Sequence, residues 1–336
     1  MTKLTFNDLG LKEGLLKAVT DLGFTTPSDI QAEAIPVALK GQDIIGQAQT
    51  GTGKTAAFGL PMLNNITNRK AISSIILAPT RELAIQVHDE LVKLAKYEKL
   101  NVVAVYGGAP IHNQIRDIKR ANIVVGTPGR VLDHIRRGTL PLDSVEFLVL
   151  DEADEMLNMG FIDDMEEIMK SIPEERQTLL FSATMPAQIK KLTKKYLKED
   201  SVHIVIARKE LTGSTITQNF FEVNNSERFE TLCRLIDFDN PSAGIIFCKT
   251  KKGVDDLVSS MQSRGYMVEG MHGDMSQIQR IKTLNKFKNG SLKFLVATDV
   301  AARGIDVDGV THVFNYELPQ DIESYVHRIG RTGRAG

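Results

Sequence analysis

Tryptophan is absent from the 336 residues, and aromatic residues make up only 6%. A surface that reads unstacked bases by ring stacking is therefore not expected. Cysteine is nearly as scarce, at two residues, Cys233 and Cys248. That is too few for a disulfide framework or a Cys/His zinc site, so two buried thiols in a reducing compartment are expected. No apolar run reaches the roughly 18 residues of a membrane span. The start, MTKLTFNDLG, lacks the apolar core and cleavage site of a signal peptide, so a cytoplasmic location is expected. Net charge is almost nil, with 41 Lys plus Arg against 42 Asp plus Glu. Any contact with nucleic acid must then be local, unlike that of a polycation.

What the chain does contain is ordinary for a folded protein: 42% hydrophobic and 25% charged residues. Its length suits two domains of roughly 150 residues, each able to bury a core. Short β-rich apolar runs recur, each followed by a polar turn and a helical pattern: Ile75-Ile76-Leu77, Ile123-Val124-Val125, Phe147 to Leu150, Ile245-Ile246-Phe247 and Phe294-Leu295-Val296. Residues apolar at successive positions suit strands covered on both faces, which predicts a doubly wound α/β class with parallel sheets. Ligands of such sheets sit at the carboxyl ends of the strands.

Those strand ends repeat. Thr80-Arg81 after one run is answered by Thr250-Lys251 after another, Thr127 by Thr298, and Tyr106-Gly107 by His272-Gly273, all in the same order. Two similar domains in tandem account for this, although strand-turn-helix units resemble one another in any case. The expected boundaries are 1–206 for the first domain, 207–214 for a polar linker and 215–336 for the second. Before the linker, the lysine pairs 190/191 and 194/195 on a helix from Pro186 to Leu197 read as a solvated face.

The strongest chemical signal is Ala48-Gln49-Thr50-Gly51-Thr52-Gly53-Lys54-Thr55, set between the strand Asp43-Ile44-Ile45 and a helical segment. It reads as a P-loop, although such a loop usually opens with glycine where Ala48 stands. Backbone N–H groups of Thr50 to Thr55 would wrap phosphate oxygens, Lys54 would neutralise the β and γ phosphates, and Thr55 would bind Mg²⁺. A second signal, Asp151-Glu152-Ala153-Asp154, follows the strand Phe147 to Leu150. Asp151 would hold Mg²⁺ and Glu152 would position or deprotonate the attacking water; the other reading is a set of acids at a helix N-terminus. The third, His327-Arg328-Ile329-Gly330-Arg331-Thr332-Gly333-Arg334, concentrates three arginines too densely for a core helix, and all are read as anion ligands. They suit either a nucleic-acid patch or arginine fingers supplied to a nucleotide.

With these motifs in hand, the chain resembles a DEAD-box ATP-dependent RNA helicase over essentially its whole length. Its namesake tetrapeptide is Asp151 to Asp154. The matches include Phe6, Gly23-Phe24 and Pro27 to Gln31, then Pro79 to Ala84, Gly107-Gly108 and Thr127-Pro128-Gly129-Arg130. Ser182-Ala183-Thr184, Gln277 to Arg280 and Ala301 to Asp306 complete the set.

The resemblance implies two tandem RecA-like domains, each a parallel sheet flanked by helices. It implies ATP and Mg²⁺ as cofactors, with Gln31 reading the adenine edge, Phe6 stacking on the ring beside Phe24, Asp306 on the ribose, and Arg331 and Arg334 as fingers on the γ phosphate. Ser182, Thr184 and His327 would couple the ATP site to the domain cleft. RNA, bound largely without regard to sequence, would be met by Thr80, Arg81, Gly108, Thr127, Arg130, Thr250, Arg280 and Thr298. Each threonine could equally be a cap or turn hydroxyl. Family members continue past the position of Gly336 into a further strand and helix, which suggests a truncated second domain. The segment Glu155 to Phe161 looks most similar to bacterial cold-shock and ribosome-assembly members, with ribosome-assembly or RNA-degradation proteins as partners.

The leading expectation is thus an RNA-dependent ATPase that locally separates short duplexes and releases RNA on hydrolysis. A nucleotide-gated RNA clamp without meaningful turnover, and a DNA-directed motor of the same superfamily, are the rivals. Lys54, Glu152, Arg331 and Arg334 being intact argues against the clamp.

Overall fold

The computed structural model describes residues 4–49, 51–206, 216–302, 307, 309–319 and 322–332. The chain divides into two compact units, Met1–Arg208 and Lys209–Gly336. The expected linker, 207–214, lies outside the described residues.

After a 3₁₀ turn at Phe6–Leu9, the first unit runs α1 (Glu13–Asp21), α2 (Asp29–Leu39), β1 (Ile44–Gln47), α3 (Lys54–Asn65), β2 (Ser74–Leu77), α4 (Arg81–Leu94), β3 (Val102–Val105) and α5 (Ile111–Ile118). It continues through β4 (Ile123–Gly126), α6 (Pro128–Arg136), β5 (Phe147–Leu150), α7 (Ala153–Asn158), α8 (Ile162–Lys170), β6 (Gln177–Ser182), α9 (Ala187–Tyr196) and β7 (Val202–Val205). Among the described residues these strands form a seven-stranded sheet in the order β3-β4-β2-β5-β6-β1-β7, every pair parallel. Alternate residues of one strand feed opposite cores: Ile76 and Val149 belong to one, Ile75, Leu77, Leu148 and Leu150 to the other. This is the two-per-turn alternation of a strand buried on both sides.

The second unit repeats the plan with α10 (Arg228–Asp239), β8 (Gly244–Phe247), α11 (Lys251–Ser263), β9 (Val268–Met271), α12 (Gln277–Lys288), β10 (Phe294–Ala297), α13 (Asp299–Ala302), β11 (His312–Phe314) and α14 (Ile322–Ile329). Its described strands make a four-stranded parallel sheet, β11-β8-β10-β9. Ile245, Phe247 and Leu295 face one core, Ile246, Phe294 and Val296 the other. Both cysteines are buried thiols, and burial pushes Cys248 up to about 12. The expected α/β class with two parallel sheets is what the chain forms.

Several strands carry no continuous apolar run. β6 begins with Gln177 and Thr178, polar yet buried. They are tolerated because Gln177 donates to the carbonyls of Ala38 and Gln42 at 2.9 and 2.6 Å, and the Thr178 N–H donates to Asp43 at 2.8 Å. On α9, Ile189 and Leu192 are buried while the four lysines are exposed, the solvated face expected. Among the described residues no helix is long and apolar enough to cross a membrane.

Candidate functional site

The strand order divides the carboxyl edge of the first sheet into two neighbourhoods. β5, β6 and β1 are adjacent, so their ends bring Asp151, Ser182 and the P-loop side by side. The Ala48 N–H donates to the Ser182 carbonyl at 3.0 Å, joining loop to strand. β3, β4 and β2 form the other half, and their ends carry Gly107-Gly108, Thr127 to Arg130 and Thr80-Arg81.

In the first neighbourhood, the P-loop turns through Gly51 (φ +82°) and Gly53 (φ +86°) and opens α3 at Lys54. The backbone angle calls for glycine at position 53, and a Cβ there, 2.4 Å from Gln31 Nε2, would displace the Gln31 amide. Gln31 closes a capping box with Ser28 at the start of α2, accepting from the Ser28 N–H at 3.0 Å, and its Nε2 donates to the Gly53 carbonyl at 3.1 Å. The Ser28 hydroxyl donates to the Thr52 carbonyl at 2.7 Å. The expected adenine reader is thus bonded to the expected phosphate loop. Phe6 is buried, and its ring stacks on Phe24 at a centroid separation of 6.4 Å.

Lys54 Nζ is buried 3.9 Å from Asp151 Oδ1 and 3.7 Å from Glu152 Oε1, ion-pair distances too long for hydrogen bonds. Burial disfavours its charge, but the fields of Glu152, Asp151 and Asp154 outweigh burial and hold its pKa above the ordinary lysine value. Asp151 is pushed up to about 7 by burial, aided by the Glu152 and Glu90 carboxylates, while Lys54 pulls the other way. Glu152 sits at φ +53°, a left-handed conformation rare outside glycine, at the sharp turn from β5 into α7. A buried ammonium and a buried carboxylate oxygen, Asp151 Oδ1, neither hydrogen-bonded, fit a site built for a phosphate and a cation. Thr55 supplies a hydroxyl at the same helix start and is hydrogen-bonded to Glu90 of α4, whose pKa burial raises against the pull of Thr55 and Lys93. No sequence motif marks Glu90.

Asp154 ties this site to Ser182-Ala183-Thr184. Its carboxylate accepts from the Thr184 N–H and hydroxyl, both at 2.8 Å, and its own N–H donates to Ser182 Oγ at 3.2 Å. Family resemblance points to the serine and threonine but assigns Asp154 no task; the pairing of β5 with β6 reveals it.

In the second neighbourhood Arg81 lies against the Gly107-Gly108 turn, where a Cβ on Gly108 (φ +82°) would fall 2.3 Å from Arg81 Nη1. Arg130 Nη1 donates to the Ala109 carbonyl at 3.1 Å and to Gln114 Oε1 at 2.9 Å, so Arg81, Gly108 and Arg130 share one cluster. Thr127 joins the β3 end through its N–H, 3.1 Å from the Val105 carbonyl. Thr80 caps α4, its hydroxyl accepting from the Leu83 N–H at 3.2 Å.

In the second unit, Thr250 caps α11 in the same way, accepting from the Gly253 N–H at 3.0 Å, so the internal repeat extends to the hydrogen bond. Thr298 follows β10, and Arg280 reaches the neighbouring segment, donating to the Ala301 carbonyl at 3.4 Å. Arg331 is buried, with Nε donating to the His327 carbonyl at 3.3 Å. One expectation fails. Arg328, read as an anion ligand like its neighbours, is among the most buried side chains and forks onto Asp299 at 2.5 and 2.7 Å. It also donates to Asn315 Oδ1 at 3.0 Å and the Glu317 carbonyl at 2.6 Å, over the face of Phe247. Internal acceptors use up this guanidinium; a buried helix face does hold an arginine when a carboxylate, here the half-buried Asp299, and neutral acceptors stand beside it. Thr50, Asp306 and Arg334 lie outside the described residues.

Comparison with known proteins agrees with this layout. Residues 28–192 match the DEAD/DEAH box helicase family and residues 227–336 the helicase conserved C-terminal domain. The chain is 55% identical over 334 residues to the DEAD-box ATP-dependent RNA helicase CshA of Bacillus cereus, covering 99% of this chain and 63% of that protein. For the protein of the same name in Bacillus subtilis the identity is 53% over 335 residues, covering 99% and 68%. The chain thus spans somewhat under two thirds of the Bacillus cereus relative's length. Among solved structures, Saccharomyces cerevisiae Dbp5 bound to RNA and ADP BeF3 matches at a TM-score of 0.89 with 35% identity, covering 98% of this chain and 86% of that one. Identity this high along the whole of both units means that the chain belongs to the DEAD-box helicase family.

Proposed function

We propose that the protein is an RNA-dependent ATPase that binds RNA backbone with residues of both units, separates short duplexes locally, and hydrolyses ATP to release the RNA. The observation that carries this reading is Lys54 Nζ, buried between Asp151 and Glu152 at the start of α3 beside the Gly51 to Gly53 turn. Its charge, with the backbone N–H groups of the turn, suits the β and γ phosphates. Gln31 offers one donor and one acceptor to the adenine edge, exchanging its bonds to Ser28 and Gly53, with Phe6 and Phe24 beside it. Glu152 orients the attacking water and accepts its proton, and Arg331 and Arg334 stabilise charge on the γ phosphate. Asp151 and Thr55 would hold Mg²⁺, which when bound neutralises phosphate charge. Asp306 would bind the ribose, and Ser182, Thr184 and His327 would couple the two events.

RNA is met in the first unit by Thr80, Arg81, Gly108, Thr127 and Arg130, and in the second by Thr250, Arg280 and Thr298. Contact with backbone rather than base edges gives low sequence preference. The proposed setting, cytoplasmic RNA handling in ribosome assembly or RNA degradation, rests on resemblance to bacterial members. The test is ATP turnover measured with RNA, with DNA and with neither. Turnover stimulated by RNA alone is expected. Equal stimulation by DNA would replace this reading with a DNA-directed motor, and absent turnover with ATP-gated RNA retention would replace it with a clamp.

A further inference from the structure

Behind Arg130 runs a chain of polar side chains that none of the sequence motifs includes, Gln114 and His134 buried and Thr139 half-buried. Gln114, on α5, is 5% exposed. Its Nε2 donates to the Tyr106 carbonyl at 3.0 Å, which fixes the amide so that Oε1 faces Arg130 Nη1 at 2.9 Å and His134 Nε2 at 3.1 Å. His134, on α6, is fully buried, and its Nδ1 lies 2.8 Å from the Thr139 hydroxyl. Burial, followed by the positive charge of Arg130, holds the His134 pKa below its ordinary value, so the ring is neutral. A neutral ring has one N–H; on Nε2 it points to Gln114 Oε1 and leaves Nδ1 to accept from Thr139.

With the Thr139 hydroxyl turned to Nδ1 at 2.8 Å rather than to the His134 carbonyl at 3.2 Å, donors and acceptors alternate from Thr139 through His134 and Gln114 to Arg130. A half-satisfied network of this depth would be costly, whereas a complete one has a single orientation. That orientation matters for Arg130, which carries four side-chain torsions and would otherwise lose their freedom on meeting a phosphate. Holding Nη1 from behind, together with the Ala109 carbonyl at 3.1 Å, removes that loss before RNA arrives.

We propose that Gln114 is a positioning residue for RNA: through Oε1 it holds the Arg130 guanidinium where that group meets a backbone phosphate. This rests on Arg130 being an RNA contact, as proposed above. The test compares wild type, Arg130→Ala, Gln114→Met and the double variant of the 336-residue chain. The probe is a fluorescein-labelled single-stranded oligouridine, bound with a non-hydrolysable ATP analogue over a series of KCl concentrations. Methionine fills nearly the same volume but makes none of the three hydrogen bonds. Arg130→Ala should weaken binding about tenfold and lower the slope of log K against log salt by about 0.7, one phosphate contact on a single strand. Gln114→Met should reproduce most of both changes, and the double variant should bind no more weakly than Arg130→Ala alone. Wild-type affinity and slope in Gln114→Met would overturn the proposal, showing that the side chain merely fills space. So would a full additional loss in the double variant, the result that general destabilisation would give. If Arg130→Ala itself binds like wild type, it is the RNA-contact reading of Arg130 that fails.

Discussion

Thr184 gives both its hydroxyl and its backbone N–H to one oxygen of Asp154, each at 2.8 Å. The bond joins the carboxylate-bearing turn after β5 to the loop after β6, and through it the nucleotide site to the segment expected to couple it with RNA. Thr184→Val keeps the shape and the N–H bond and removes one hydrogen bond to a charged group, about 1.5 kcal/mol. The gain in RNA affinity on adding a non-hydrolysable ATP analogue should shrink roughly tenfold. An unchanged gain in equilibrium titrations would reduce this contact to local packing.

Glu152→Gln keeps size and hydrogen bonding but removes the base, leaving Lys54 and the P-loop backbone to hold ATP. Turnover should stop while RNA stays bound. ATP and RNA should each tighten the other by the same free energy, on the order of 1 to 3 kcal/mol. RNA dissociation should therefore be much slower in the variant with ATP than in wild type, and equally fast in both with ADP. Equal lifetimes in ATP would separate release from hydrolysis.

Gly108 and Gly160 share φ +82°, but only Gly108 faces a neighbour, Arg81 Nη1. Alanine at either position pays for a left-handed backbone, about 1 to 2 kcal/mol of stability. Gly108→Ala must also displace the Arg81 guanidinium, and should weaken RNA binding severalfold where Gly160→Ala does not. Filter-binding of both variants to one RNA, beside their urea midpoints, checks the contrast; parallel losses of affinity would dismiss Arg81 as an RNA group held by this turn.

Arg328 is 2% exposed at its side chain, and its partner Asp299 is 32% exposed. Arg328→Ala should destabilise the second unit by about 3 kcal/mol, at the low end for a broken buried pair because water reaches Asp299. Arg328→Lys should recover little, since an ammonium cannot fork onto a carboxylate while also reaching Asn315 and Glu317. Denaturant unfolding of the second unit measures both, and full recovery by lysine would reduce the site to a simple ion pair.

The neutral His134 makes stability depend on pH. Its folded pKa lies below the ordinary 6.5, by burial and then by Arg130. In acid the unfolded chain takes up a proton that the folded chain refuses. The contribution is thus present above pH 6.5 and is lost as pH falls through 6.5 towards the folded value. His134→Asn should flatten the difference between urea midpoints at about pH 7.5 and 5.5 while lowering the first of them. Identical pH dependence in both proteins would show that another group dominates.

Much of the fold and site was legible in the residues because the relevant physics is local. Runs such as Phe147 to Leu150 are apolar at every position only if both faces are covered, and the glycines before Lys54 bend a chain into a helix start whoever its neighbours are. The threonines after β2 and β8 cap helices for the same local reason. Tertiary pairing decided the rest. The order β3-β4-β2-β5-β6-β1-β7 separates the Lys54, Asp151 and Asp154 neighbourhood from the Arg81, Gly108 and Arg130 neighbourhood on one sheet edge, and no motif spacing encodes that order. It also hides polar strands such as β6, whose Thr178 finds Asp43 from 135 positions away. Arg328 and Arg331 are equally charged and three residues apart on paper; Asp299, at the start of α13 and 29 positions away in sequence, bonds Arg328 and makes it a structural member. A side chain's charge belongs to its residue type, but whether that charge is spent internally or kept for a ligand depends on which acceptors folding places beside it.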